Sequence, residues 1–588
     1  MQLSAMMRVN KMKKTIDGTN MNTYSSNKLS RVAGLMLVTS LLGLGCSAGP
    51  SDQELREEQE RKAKDEFIVV EMREAKEAKS KKIEAMSQMR TQFAGAPLAM
   101  SMDMPAPPPP PLEATNRDDF EEFATNPIKM VGENPVSTFS SDVDTASYSF
   151  VRRQLNHGYL PNKQAVRLEE MLNYFDYQYP KPQNASEPFK ASTAVFDSPW
   201  AKNRKLVHIG IQGYSLGEDT QPDSNLVFLL DVSGSMSSPD KLPLVKQSMS
   251  LLLSQLKPSD TVSIVVYAGA AGTVLPPTKV KNKTEIFAAM EKLSAGGSTA
   301  GAQGIELAYQ LAEENFNEDA VNRIILATDG DFNVGLNDRE QLQDYVERKR
   351  EKGIFLSVLG FGQGNYNDHL MQSLAQNGNG IAAYIDTLSE AQKVLVHEAT
   401  SSLFPIANDL KIQVEFNPKV VKEYRLLGYE TRALAREDFN NDKVDAGDIG
   451  SGHSVTAIYE VTLVGSEGSF IDNLRYENKD IEAATELNGE LAFLKMRYKL
   501  PGNSASTLIQ QPIMLQDTYN EVLLSDAHFA ASVAGFAQLL KDAKYTGQWS
   551  YDDALNLALA NRGNDEFGYR NEFVQLIRKA KLAKPANM

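Results

Sequence analysis

Five short runs of nearly unbroken apolar sequence, separated by stretches with helical spacing, set the tightest limit on how this chain folds. The runs are Asn225–Leu230, Thr261–Tyr267, Arg323–Ala327, Ile354–Leu359 and Ala382–Ile385. Between and after them, residues 242–256, 283–293, 302–315, 337–351, 368–375 and 388–402 place apolar side chains at three- and four-residue intervals. A strand with one wet face alternates apolar and polar residues. These runs do not, so they are expected to be buried on both faces, as parallel strands are. The pattern predicts a doubly wound, mostly parallel α/β domain over residues 221–403.

A chain of 588 residues exceeds what one hydrophobic core supports, about 250–300 residues. Flanking modules are therefore expected. Residues 116–220 read as a small helical and stranded N-terminal module. In it, Asp144 and Thr145 are expected to cap a helix through Arg153, and Val166, Leu168, Met171 and Leu172 to stripe a second. Leu206–Ile211 alternates as a strand. Residues 404–588 read as a C-terminal region. Alternating strands at Leu410–Phe416, Val455–Val461 and Leu491–Tyr498 predict an antiparallel sandwich, and helices are expected at 526–541, 551–561 and 569–582.

Residues 1–46 read as an address. Arg8, Lys11, Lys13, Lys14, Lys28 and Arg31 precede the apolar run Val32–Leu44, which has signal-peptide length and is too short to span a bilayer. The segment Leu42-Gly43-Leu44-Gly45-Cys46 resembles a bacterial lipobox, with Gly43 where the usual leucine stands. That resemblance implies lipidation of Cys46, and Ser47 after it resembles outer-membrane sorting. The preamble of some 30 residues before the apolar run is long for a signal peptide, which makes Met12 and Met21 alternative translation starts. Residues 47–115 are charged and then proline-rich, closing in Pro107–Pro111, and read as an extended stalk.

Composition narrows the chemistry. A net charge of -15 argues against nucleic-acid binding, which needs a basic surface. The single cysteine excludes internal disulfides and thiolate zinc clusters, and the six histidines show no i,i+4 pair. A metal held here is expected to be a hard cation bound by oxygen.

Oxygen ligands recur where an open α/β sheet collects its ligands, beyond the carboxyl ends of the strands. The first strand runs into Asp231-Val-Ser233-Gly-Ser235, a Gly296-Gly-Ser-Thr299 turn opens a helix, and the strand Arg323–Ala327 runs into Thr328-Asp329-Gly330. Each piece alone also serves as a helix cap or turn. Together, in this order, they resemble the metal-ion-dependent adhesion site of von Willebrand factor type A domains. The resemblance implies that Ser233, Ser235 and Thr299 offer hydroxyls to a divalent cation, Mg2+ or else Mn2+ or Ca2+, and that Asp231 and Asp329 supply charge directly or through water. Two carboxylates just neutralise such an ion, leaving it open to an Asp or Glu carboxylate from a partner protein. Asp331 and Asn333 lie nearby. The segment NPVSTFSSDVDTASYSFVRRQL, the stretch 437–461 and the helical tail resemble a bacterial von Willebrand factor type A lipoprotein family.

Three other motifs read as decoys. Gly213-Tyr-Ser215-Leu-Gly217 fits a hydrolase elbow, but a polar loop follows instead of a helix. Gly360-Phe-Gly-Gln-Gly364 lacks nucleotide-loop spacing. Asp438-Phe-Asn440-Asn-Asp442 begins like a calcium loop, but Lys443 stands in place of glycine. The expected function is a non-enzymatic, lipid-anchored envelope protein that binds a protein partner through its metal. The alternatives are a metal-assisted hydrolase, for which Ser233 stands where a second acid belongs, and a structural protein with an unused site.

Overall fold

The computed structural model describes residues 118–585 apart from 300, 331–338, 365, 473–488 and 518. The leader 1–46 with Cys46, the whole 47–115 stalk, and Asp331 and Asn333 lie outside the described residues.

The expected α/β domain is built on a six-stranded sheet in the spatial order Ala382–Ile385, Ile354–Phe361, Ala320–Thr328, Asp223–Asp231, Thr261–Tyr267, Ala271–Lys279. Every neighbouring pair is parallel except the last. One face buries Phe228, Leu230, Ile264 and Ile325 against the helix Leu242–Gln255 and its neighbours. The other buries Val227, Leu229, Ile324 and Leu326 against Gly301–Glu314 and Asp368–Asn377. Both faces are dry, which is why these strands carry no polar alternation. The Asp223–Asp231 strand has the next strand in sequence on one side and the Ala320–Thr328 strand on the other. The winding reverses there, so a crevice opens beyond Asp231.

Two local expectations are corrected. The antiparallel edge strand Ala271–Lys279 is absent from the sequence reading. Only Leu275 and Thr278 of its residues are buried, and its prolines Pro276 and Pro277 suit an edge alone. The single helix expected over 388–402 is instead Leu388–Gln392, a π turn at Lys393–His397, and Ala399–Leu403.

The flanks, expected as separate modules, are interleaved in one antiparallel sandwich. One sheet runs Lys129–Met130, Val421–Leu427, Ser454–Leu463, Lys205–Gly213, Phe189–Asp197, so two strands from the C-terminal side sit between strands from the N-terminal side. The register pairs Ile458 with His208. In the second sheet the Pro405–Phe416 strand pairs both with Glu490–Lys499 and with Val136–Ser140 from the N-terminal side. Ile209, Ile211, Ile412 and Val414 share the core between the sheets. The physical reason is hydrogen bonding: strands from either flank alone would leave buried ladder groups unpaired. The α/β domain is thus inserted between two sandwich strands.

A helical layer closes the structure in the same way. Helices Ala146–Asn156 and Leu168–Asn173 share a core with Glu521–Lys541, Tyr551–Ala560 and Tyr569–Ala580. Helix Glu521–Lys541 is long and apolar enough to cross a membrane by length and composition, but most of its apolar window is buried in this core. Asp144 does not cap the first of these helices. Its carboxylate accepts from the Ala382 N–H at 2.8 Å and from Arg432 at 3.0 Å, tying the helical layer to the central sheet and the sandwich.

Candidate metal centre

Asp231 is the last residue of its strand and is fully buried. Its backbone lies in register with Tyr267, which leaves its side chain at the carboxyl edge of the sheet. One carboxylate oxygen accepts the Ser233 backbone N–H at 2.8 Å, and the other faces the Thr328 hydroxyl at 3.4 Å. The first of these bonds bends the chain so that the hydroxyls of Ser233 and Ser235 lie 3.0 Å apart. Burial, helped by the charge of Asp329, pushes the Asp231 carboxyl up to about 6, while the Ser233 N–H pulls it back. Such a group is costly to ionise without a cation.

The second segment is stitched to the first by backbone. Gly234 N–H donates to Gly297 O at 3.0 Å, Gly296 N–H to Val232 O at 2.8 Å, and Val232 N–H to Tyr267 O at 3.0 Å. Gly297 has φ +85, and a Cβ there would come within 3.2 Å of the Gly269 nitrogen. Glycine is therefore required at this turn. Thr299 follows, half-buried, just before helix Gly301–Glu314. That helix approaches closely because residue 304 is glycine: a Cβ there would lie 2.8 Å from Tyr267, whose ring backs Asp231.

The third segment brings Asp329, buried at the end of the Ala320–Thr328 strand. One of its oxygens accepts the Lys241 ammonium at 2.8 Å. Sequence reasoning missed Lys241 and Tyr267. The signal for Lys241 was a cation directly ahead of a proline-marked helix start, in the loop that follows the two serines. All five predicted side chains therefore sit on segments that converge at the switch point. No cluster of three or more His, Cys, Asp or Glu side chains suited to a metal occurs among the described residues. A cation here relies on the hydroxyl oxygens, and this donor set of carboxylate and hydroxyl oxygen fits a hard divalent ion.

The decoys are accounted for by their contacts. After Gly213 the chain makes only a short turn at Glu218–Thr220 before the next strand. The N–H groups of Gly364 and Tyr366 donate to Asp118 at 3.2 and 3.1 Å, so a carboxylate of the chain itself fills that loop. Lys411 donates to the carbonyls of Asp438 and Asn441 at 3.1 and 2.5 Å, placing an ammonium where a calcium loop would hold its ion.

Comparison with known proteins follows the same divisions. The model of the von Willebrand factor type A domain matches residues 225–397. A von Willebrand factor model matches 114–208, and the model of the C-terminal part of the uncharacterized protein YfbK matches 401–582. YfbK of Escherichia coli (strain K12) is 45% identical over 467 residues, 78% of this chain and 80% of the relative. The uncharacterized protein sll0103 of Synechocystis is 31% identical over 189 residues, and the match spans 32% of this chain and 44% of that relative. A solved von Willebrand factor type A protein from Catenulispora acidiphila aligns with TM-score 0.40 and 15% identity, over 70% of this chain and 95% of that one.

Proposed function

We propose, for a chain that belongs to the bacterial von Willebrand factor type A family of YfbK, that its α/β domain holds a divalent cation and uses it to bind a partner protein at the cell envelope. Domains of this family mediate protein–protein interaction. The observation that carries the finer reading is the buried Asp231 carboxylate, fixed by the Ser233 N–H beside two hydroxyls 3.0 Å apart at the sheet's switch point.

In this reading Ser233, Ser235 and Thr299 offer hydroxyl oxygens, and Asp231 and Asp329 offer charge. The cation, Mg2+ in first place, supplies an electrophilic anchor for an Asp or Glu of the partner. Asp231 is already oriented by the backbone, so little reordering accompanies binding. The Gly296–Gly297 turn, tied to the Ser233 loop, holds Thr299 near its task. The role is binding, not turnover. Lipidation of Cys46 would tether the chain to the membrane, in the outer membrane if Ser47 sorts it there, with the stalk as spacer.

The test is Mn2+ titration of the full-length chain, followed by calorimetry. Wild type should take up about one ion per chain, and Ser233→Ala/Ser235→Ala should lose most of the binding while melting normally in chelator. Equal binding by both proteins would place the ion elsewhere and defeat the assignment.

A further inference from the structure

The site already contains a cation of its own. Lys241 is the N-cap of helix Leu242–Gln255, the end of a helix that disfavours positive charge. Helix electrostatics therefore do not explain its presence. Its side chain is only 9% exposed, and its ammonium lies 2.8 Å from the Asp329 carboxylate. Its methylenes cross Gly362, φ +77, where a Cβ would fall directly on the lysine chain.

That glycine is itself fixed. Its carbonyl accepts from Arg153 at 3.1 Å and from the Tyr384 hydroxyl. Arg153 pairs with Asp118 at 2.9 Å, and Asp118 holds the N–H groups of Gly364 and Tyr366. The lysine thus packs on a glycine held by Arg153, which is itself held by Asp118. Moving the lysine away from Asp329 would break the 2.8 Å ion pair and its packing on Gly362.

We infer that Lys241 is a built-in counter-cation that sets the charge of the metal site: it balances Asp329 when no ion is bound, and it adds one positive charge to the loaded site. The inference rests on the metal reading of Asp231 and Asp329. Without Lys241, the loaded site would carry one positive charge less and would prefer a carboxylate over a neutral oxygen ligand less strongly. With it, the loaded site favours carboxylates. The same charge repels the metal, so the ion is held less tightly than the bare ligand set allows. Lys241 is therefore a specificity-determining residue, trading metal affinity for selectivity toward acidic partners. A purely structural lysine would contribute stability alone.

The experiment compares full-length wild type with Lys241→Met, which keeps the chain length without the charge, and with Lys241→Gln, which keeps a donor toward Asp329. Three quantities are read: Mn2+ affinity by titration calorimetry, melting temperature in chelator and in Mn2+, and acetate affinity of the Mn2+-loaded protein. Removing one charge beside a partly buried ion should tighten Mn2+ binding by about tenfold or more. Both variants should melt lower in chelator, gain more from Mn2+ than wild type does, and bind acetate more weakly. A lower melting temperature in chelator with unchanged or weaker Mn2+ affinity would overturn the inference and leave the metal site standing. Absence of Mn2+ binding in all three proteins would overturn the metal reading and this inference with it. If Lys241→Met does not melt cooperatively, Lys241→Gln decides by the same comparison.

Discussion

Replacing Asp231 by asparagine should stabilise the metal-free protein at neutral pH while abolishing its response to metal. The magnitude follows from burial. The carboxyl is fully buried and pushed from 3.8 to about 6. A shift of that size corresponds to about 3 kcal/mol that the folded state forgoes when the group ionises. The sign is that of a raised carboxyl: its stabilising contribution is complete below its unfolded value near 3.8 and is lost as pH rises through about 6. Asparagine keeps an acceptor for the Ser233 N–H and never ionises. Allowing for the hydrogen bonds to the carboxylate that the amide makes less strongly, a gain of about 1–3 kcal/mol at pH 7.5 is expected, several degrees in the melting temperature of a domain of this size. Scanning calorimetry of the full-length chain in chelator is the suitable assay, because both tryptophans, Trp200 and Trp549, pack against each other away from the α/β domain. The advantage should shrink to about a third by pH 4.5, and comparison of variant with wild type cancels the other carboxylates. Mg2+ should raise the melting temperature of wild type only. A variant less stable than wild type at pH 7.5 in chelator, or a difference independent of pH, would refute the reasoning.

Other expectations follow from specific contacts. Gly304→Ala should cost about 1–3 kcal/mol by overpacking against Tyr267 and should weaken Mn2+ binding as Tyr267 shifts behind Asp231, both read by calorimetry. Arg152→Met removes the cation buried between Asp386 and Glu390 and should cost about 3–5 kcal/mol; urea unfolding followed by tryptophan fluorescence should detect it, since the helix carrying Arg152 shares a core with Trp200. Cys46→Ser should lose palmitate labelling and move the chain from the membrane to the soluble fraction of a bacterial host.

The α/β domain was legible because its strands are buried on both faces, and burial writes itself into composition. Asn225–Leu230 and Thr261–Tyr267 are readable for that reason. The edge strand Ala271–Lys279 was not, since an edge needs little apolar sequence and tolerates Pro276 and Pro277. Asp231, Ser233, Ser235 and Asp329 stood out as candidates because short polar motifs follow directly on apolar strands, and Thr299 because a glycine-rich turn opens a helix. The interleaving of the two flanks was not legible. Each strand, such as Lys205–Gly213 or Ser454–Leu463, reveals its own character, but pairing across some 250 residues is decided by which edges remain unpaired. Lys241 was passed over because a lone lysine in a loop reads as a solvated charge, whereas its burial, its packing on Gly362 and its 2.8 Å contact with Asp329 are seen only in the structure. Asp144 was misassigned for a related reason. An aspartate before a helix reads as a cap, whereas burial beside Arg432 gave it a stronger partner.

The central claim is metal-dependent binding of a partner through the Asp231 site. Its most direct test is capture of envelope proteins by the full-length chain in Mg2+ and in chelator, beside an Asp231→Ala/Ser233→Ala variant. A partner should be retained by wild type in Mg2+, lost in chelator, lost by the variant in either condition, and released by an acidic residue-to-alanine change on the partner. A partner retained equally in chelator and by the variant would contradict it, placing the binding surface on the sandwich or the helical layer.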